Sequence, residues 1–352
     1  MLCPTSRRDA RVPGGTLTQP DARGALATKV KEIKEGQEVR GFFAVRSKDL
    51  PREYKNKSGR WFTVRVGDAT GEIGLKFWGG EDPDRTMRTY GSFSVGSVVY
   101  VKAMAAYDKF EDGVTLIVNE GSDELRHVEE GAEGLDLVPA LEGDRIKALT
   151  EELFELIASV KDVHLKMLLQ SFFSEKPLLE AFKYSPSAMR HHHAYVGGNL
   201  EHTVNVARTV DLMAHRYPRI DRDLAITGAL LHDIGKLKEY HVTAAVEMTS
   251  EGQFIGHLQL GWEMVRQRLE RIPALPEERR LKLWDMIIHH HGSYDRSGDM
   301  SSNLHTLESC ALHYADDADA KVGGFAQFLE QAEGTPEDWV YIKALGFSIY
   351  TR

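Results

Sequence analysis

The stretch "GALLHDIGKLKEYH", residues 228–241, runs apolar and then sets His232 beside Asp233. Ala229, Leu230, Leu231, Ile234 and Leu237 recur at helical spacing with no proline between them, which predicts a helix heading for a core. A buried, unpaired carboxylate is costly, so Asp233 requires a cation, a set of donors or a metal. On this stretch alone, an aspartate accepting hydrogen bonds beside a satisfied core histidine serves as well as a metal centre. The surrounding chain decides between them.

Further imidazoles fall on apolar faces. In "GGNLEHTVNVARTVDLMA" (197–214) His202 shares a helical face with Val206 and Met213, and in "FIGHLQLGWEMV" (254–265) His257 shares one with Leu260 and Met264. In "LWDMIIHHHG" (283–292) His290 follows Met286 and Ile287 by four and three residues, whereas His289 follows Asp285 by four. His291 also follows apolar residues, Ile287 and Ile288, so periodicity does not separate it from His290. "ALHYADDADAK" (311–321) puts Asp316 on the face of Leu312, with Asp319 one turn further on. One such histidine is ordinarily a packed core residue. Several inward imidazoles and two inward carboxylates on separate helices are better explained by a shared cation. Nitrogen with oxygen ligands suits Mn, Fe, Ni, Co or Zn better than Mg or Ca. Four histidines and two aspartates exceed what one tetrahedral zinc uses, which points to two ions.

The rest of the chain divides in two. Its 352 residues imply two domains, and 42% hydrophobic with 28% charged residues describes an ordinary globular protein. No apolar run approaches a bilayer span, and Arg7, Arg8 and Arg11 have no apolar stretch behind them to make a secretory signal. Two cysteines, Cys3 and Cys310, form no framework, which is compatible with a cytoplasmic protein. Residues 26–128 hold 17 Lys and Arg against 16 Asp and Glu, a net of +1; residues 129–352 hold 23 against 35, a net of −12, and 14 of the 15 histidines. Residues 1–25 read as a flexible tail, 26–128 as a β domain, 129–144 as an acidic linker and 145–352 as a helical domain. The expected fold is therefore multidomain, an all-β barrel followed by an all-α bundle.

In the β domain "VRGFFAVRS" (39–47) alternates, 61–79 reads as two strands around Asp68-Ala69-Thr70-Gly71, and 97–118 as two more around Glu111-Asp112-Gly113. Five short strands in about a hundred residues fit a small barrel. One face reads Val39, Phe43, Val45, Phe62, Val64, Val66, Ile73, Leu75 and Phe77, the predicted core. The other reads Arg40, Phe42, Arg46, Trp61, Arg65, Lys76 and Trp78, interleaving aromatic rings with cations. Bases stack on exposed rings and phosphates pair with Arg and Lys, so Arg40, Phe42, Trp61, Arg65, Lys76 and Trp78 are the candidate contacts to single-stranded RNA or DNA. The loop "RSKDLPREYKNKSGR" (46–60), with six basic residues against two acidic, lies beside them. The arrangement looks like an OB-fold.

The order His202, His232-Asp233, His257, His290, Asp316 resembles an HD-superfamily metal phosphohydrolase, of the subset whose extra histidine serves two metals. More closely, "HHAYVGGNLEHT" (192–203), "LLHDIGK" (230–236), "HHG" (290–292) and "LHYADDADAK" (312–321) resemble the YhaM family of 3′-5′ exoribonucleases, over residues 30–350. That resemblance implies an OB domain followed by an HD domain, and a homo-oligomer. It implies metal ligation by His202, His232, Asp233, His257, His290 and Asp316, with Asp233 bridging the ions. Two departures stand out. The family's Gly-Ser-Pro type loop after "HHG" is here "SYDRSGDMSSNLHTLE" (293–308), and the triplets 191–193 and 289–291 leave single-residue ambiguity in register.

The expected activity is hydrolysis of the 3′-terminal phosphodiester of single-stranded RNA, and of single-stranded DNA, by a hydroxide that two divalent ions, Mn²⁺ foremost, generate near neutral pH. Asp233 and Lys236 are the candidate catalytic residues. Lys236 lies one turn beyond His232 and is placed to hold a non-bridging phosphate oxygen; His193 and Lys321 are further candidate substrate contacts. The alternatives are an HD-type nucleotidase or cyclic-nucleotide phosphodiesterase, and a non-catalytic nucleic-acid-binding protein. The first leaves the β domain unexplained and the second leaves the complete ligand set unexplained.

Overall fold

The computed structural model describes residues 28–128, 136–189, 194–292, 304–332, 335–342 and 345–352. The expected tail and His193 lie outside them, as do 129–135 of the linker and 293–303 of the loop after "HHG".

The N-terminal strands are β1 (Glu38–Lys48), β2 (Arg52–Glu53), β3 (Arg60–Asp68), β4 (Gly71–Trp78), β5 (Val98–Asp108), β6 (Gly113–Asn119) and β7 (Glu124–His127). Helix α1 (Pro83–Gly91) separates β4 from β5, and Asp82 caps it by accepting from the amides of Asp84 and Arg85. β1 pairs antiparallel with both β3 and β5, while β4 runs parallel to β6 with Leu75 opposite Leu116. The order β1-β3-β4-β6-β5 therefore closes back on β1 as a five-stranded barrel. This is the OB-fold topology. All nine residues of the predicted core face are buried inside it.

Pairing is irregular at one point. The register of β1 against β3 slips between Val45 and Ser47, a bulge that adds one residue, Arg46, to β1. Arg46 stays on the outer face beside Glu72, at 3.8 Å, and donates to the carbonyls of Ala244, at 3.2 Å, and Leu137. It joins the barrel to the helical half. Burial pulls the Arg46 pKa down while Glu72 and Asp68 oppose that pull. The second half of the expected linker is thus held on both sides: the Val196 amide donates to Pro139 O at 2.8 Å and the Leu141 amide to Val196 O at 3.0 Å.

The helical half comprises α2 (Gly143–Ser159), α3 (Val163–Phe173), α4 (Lys176–Lys183), α5 (Gly198–Arg216), α6 (Arg222–Leu231), α7 (Lys236–Glu239), α8 (Ser250–Ile255), α9 (His257–Leu269), α10 (Glu277–His289) and α11 (Leu307–Gln331). Two short hairpins accompany them, β8 (Tyr240–Val242) with β9 (Val246–Met248) and β10 (Trp339–Ile342) with β11 (Phe347–Tyr350). Every residue of α6 from Leu224 to Leu231 is buried, so this apolar-all-round helix is the centre about which α3, α5, α10 and α11 pack. Leu168, Leu200, Leu230, Leu283 and Leu312 share that core, where truncating one leucine to alanine costs about 2–5 kcal/mol.

The opening stretch is not one helix. α6 ends at Leu231, a turn spans 232–235, and a single helical turn follows. His232 supplies the physical reason: its Nδ1–H donates to Ala229 O at 2.7 Å, competing for the carbonyl that a continuing helix offers to the Asp233 amide. Gly235 is needed for a different reason. A Cβ there would stand 2.0 Å from His257 O, so only glycine lets the start of α9 cross the turn that carries His232 and Asp233.

Candidate metal centre and nucleic-acid face

Five chain segments deliver side chains to one buried point. His202 comes from the second turn of α5, His232 caps the C-terminus of α6, and Asp233 follows it. His257 opens α9, His290 caps the C-terminus of α10 with His291 beside it, and Asp316 comes from α11. Asp233 sits at the middle. Its Oδ2 lies 3.4 Å from His202 Nε2 and 3.3 Å from His232 Nε2, while its Oδ1 lies 3.7 Å from both His257 Nε2 and His290 Nε2. Asp316 spans the same two sides, with Oδ1 3.1 Å from His202 Nε2 and Oδ2 3.4 Å from His291 Nδ1. All six predicted ligand residues thus converge. His291 joins them, its Nε2 3.0 Å from that of His257.

Each of the four predicted histidines has its Nδ1 held, which turns Nε2 toward Asp233. His232 and His290 do this with the same device, Nδ1–H donating to a backbone carbonyl three residues back, Ala229 O and Ile287 O at 2.7 and 2.9 Å. His202 Nδ1 lies 2.7 Å from Asp319 Oδ2, and His257 Nδ1 lies 3.0 Å from Glu239 Oε1. Such outer partners fix the tautomer and orientation of metal-binding imidazoles. His313 adds a further hold, its Nδ1–H donating to His290 O at 2.6 Å.

The electrostatics match a cation site. Burial opposes ionisation of Asp233, yet Lys236 and His232 beside it hold its carboxyl well below the usual carboxylate range. Burial likewise opposes ionisation of Asp316, and hydrogen bonds from His202 and His291 hold it well below that range. For His202 burial pulls downward, but Asp316 and Asp319 push its pKa up to about 9. Burial drives His290 well down, so its imidazole is neutral. Its buried Nε2 and Asp233 Oδ1 both lack a hydrogen-bond partner. Imidazole nitrogens stand 3.0–3.2 Å apart in the pairs His202–His232 and His257–His291, a spacing at which each pair can share a proton or a cation. These residues fit a divalent cation on either side of Asp233.

Lys236 is buried beside the cluster, its Nζ donating to Asp233 Oδ2 at 2.5 Å and Ser187 Oγ at 3.0 Å. Lys321 pairs with Asp317 one turn away on α11, at 2.7 Å. Sequence reasoning left His291 open and did not name Glu239, Ser187 or His313. His291 sits where the helix ends and its periodicity with it; the others are recognised only by partners far away in the chain.

On the barrel, Trp61 and Trp78 stand directly opposite each other on β3 and β4, with ring centroids 5.2 Å apart. Tyr54 stacks on Trp78 at 6.0 Å, the Arg52 guanidinium lies 5.4 Å from the Trp61 ring, and Lys57 Nζ lies 4.1 Å from the Tyr54 ring. Arg65 and Lys76 share this face by register but are paired, Arg65 with Glu72 at 3.3 Å and Lys76 with Asp108. Arg40 and Phe42 are placed apart from it, on the β1–β5 side. Arg40 pairs with Glu38 at 2.5 Å, and Phe42 packs on Tyr100 and against Ala44, Val98 and Leu137. The ring that extends the tryptophan pair is Tyr54, from the basic loop, and not Phe42.

A family model described as HD domain matches residues 199–321, the span that holds all seven converging residues. The chain resembles the curated 3′-5′ exoribonucleases YhaM over most of its length. It is 25% identical to that of Shouchella clausii (strain KSM-K16) over 311 residues, 88% of this chain and 91% of the relative. It is 26% identical to that of Bacillus subtilis (strain 168) over 278 residues, 78% and 82% of the two chains. Among solved structures, the second OB-fold domain of replication protein A from Methanococcus maripaludis aligns at 18% identity with a TM-score of 0.24, covering 30% of this chain and 98% of that one. The closed strand order, rather than that likeness, establishes the barrel. Among the described residues no helix is long and apolar enough to cross a membrane.

Proposed function

We propose that this chain is a cytoplasmic, metal-dependent 3′-5′ exoribonuclease that trims single-stranded RNA, and single-stranded DNA, with two divalent ions, Mn²⁺ foremost. The observation that carries the proposal is Asp233, buried between two histidine sets with one carboxylate oxygen toward each. His202, His232 and Asp316 Oδ1 would hold one ion, and His257, His290 and His291 the other. Bound there, divalent ions supply a water acidic enough to lose a proton near neutral pH and screen the charge that builds on phosphoryl oxygens.

The chain's own residues do the rest. Asp233 and Asp316 stay ionised despite burial and so set the charge that the ions balance. Glu239 and Asp319 orient the imidazoles of His257 and His202. Lys236 Nζ is buried at the edge of the cluster, between Asp233 and Ser187, and is placed to hold a non-bridging oxygen of the scissile phosphate. In the acidic half, with its net of −12, Lys236 and the ions are what offset repulsion of a polyanion. Trp61, Trp78 and Tyr54 would stack bases of the upstream strand. The test is a 5′-labelled oligoribonucleotide incubated with Mn²⁺: wild type shortens it from the 3′ end. Asp233→Asn, which keeps the shape but removes the charge, abolishes shortening and leaves binding to the barrel nearly intact. Full turnover in that variant would overturn the assignment.

A further inference from the structure

Among the described residues, three groups of His and carboxylate side chains bring their ligand atoms within 4.8 Å of one another. Two of them meet at Asp233. The third, Asp285, His289 and His305, stands apart and plays no part in the chemistry above. Asp285 and His289 are one turn apart on α10, and His305 reaches in from the residues just before α11. Asp285 Oδ1 lies 2.9 Å from His289 Nδ1 and 2.7 Å from His305 Nδ1. The carboxylate is buried while the His305 side chain is 62% exposed, so the cluster opens to solvent on one side. The edge of Trp284 packs on the His289 ring, with centroids 5.1 Å apart. Thr306, which caps α11, donates from Oγ1 to Asp285 Oδ2 at 3.4 Å.

We propose that Asp285, His289 and His305 form a further divalent-cation site, of the class that suits zinc. Two imidazole nitrogens and one carboxylate oxygen make a three-ligand set that leaves a coordination position for solvent. The supports around it, an aromatic edge on one imidazole and a hydroxyl on the carboxylate, hold the ligands in place as outer partners do at metal sites. An ion here clamps the end of α10, where His290 and His291 sit, to the start of α11, which carries Asp316 further along. Its work is to fix the relative setting of those helices, not to touch substrate. The inference does not depend on how many ions lie at Asp233.

The experiment titrates chelator-stripped full-length protein with Zn²⁺ and counts bound metal after dialysis, for wild type, His305→Ala, His305→Gln and Asp233→Asn. Both His305 variants, with circular dichroism confirming their fold, should bind one equivalent per chain fewer than wild type. They should also lose the part of the zinc-induced rise in Tm that Asp233→Asn retains. Asp233→Asn should lose metal from the main cluster and keep this equivalent, so failure at one centre is distinguishable from failure at the other. Equal zinc content and affinity in wild type and both His305 variants would overturn the proposal and leave the cluster a hydrogen-bonded pin of two imidazoles on a carboxylate.

Discussion

Replacing Trp61 and Trp78 together by alanine should separate capture of a long strand from cleavage. The two rings face each other across β3 and β4 at 5.2 Å and are only partly buried, whereas Phe62 and Phe77 on the same strands fill the core. Losing the ring pair costs the fold about 0.5–1.5 kcal/mol beyond its buried area, little enough for the barrel to persist. If each ring stacks one base at about 1–3 kcal/mol, the double variant weakens a long strand by about 2–6 kcal/mol, roughly 30-fold to 10⁴-fold. A dinucleotide held only at the histidine cluster makes no such contact. The assay is kcat/KM on a long oligoribonucleotide divided by kcat/KM on a dinucleotide, in wild type and double variant, with circular dichroism confirming the fold. The ratio should collapse toward that of a protein without a strand-binding face. An unchanged ratio in a folded variant would refute the reasoning and make the tryptophan pair a packing surface.

Three further outcomes follow from single contacts. Glu239→Gln removes the carboxylate that orients His257, and should weaken metal binding or activity about 10- to 100-fold; metal titration by calorimetry checks it. Arg46→Met strips two charge-assisted bonds from the Ala244 and Leu137 carbonyls and should cost about 2–4 kcal/mol in urea unfolding, because both acceptors stay behind. Asp162 caps α3 by accepting from the amides of His164 and Leu165 and also pairs with Arg279; burial opposes its ionisation, but those donors hold its pKa below the model-peptide value. A depressed folded-state pKa means stability present above the unfolded value of about 3.9 and lost as pH falls through the folded one. Asp162→Ala should therefore cost about 1–2 kcal/mol near neutral pH and progressively less in acid. A cost that stays constant down to about pH 2 would refute this.

The barrel core was legible because side-chain parity in a strand is a local property, and all nine predicted residues are inside. Parity holds for Arg46 as well, which stays on the outer face beside Glu72 but is taken up there by the carbonyls of Leu137 and Ala244. Phe42 obeys parity, yet a cluster with Leu137 and Ala244, distant in sequence, covers its side of the strand. The inward histidines were readable from helical spacing, but that spacing is blind at a helix end. His232 and His290 both sit at C-caps, where the imidazole takes a carbonyl and the helix stops. For the same reason His290 and His291 were inseparable in sequence, and both reach the cluster. Glu239, which orients His257, carries no local pattern; only the crossing of α9 over Gly235 brings the two together.

The most direct measurement is an anomalous-scattering map from crystals of the full chain grown with Mn²⁺. A two-ion centre gives two peaks flanking the Asp233 carboxylate, roughly 3.5–4 Å apart, one on the His202–His232 side and one on the His257–His290 side. A single peak, or none within reach of Asp233, would contradict it.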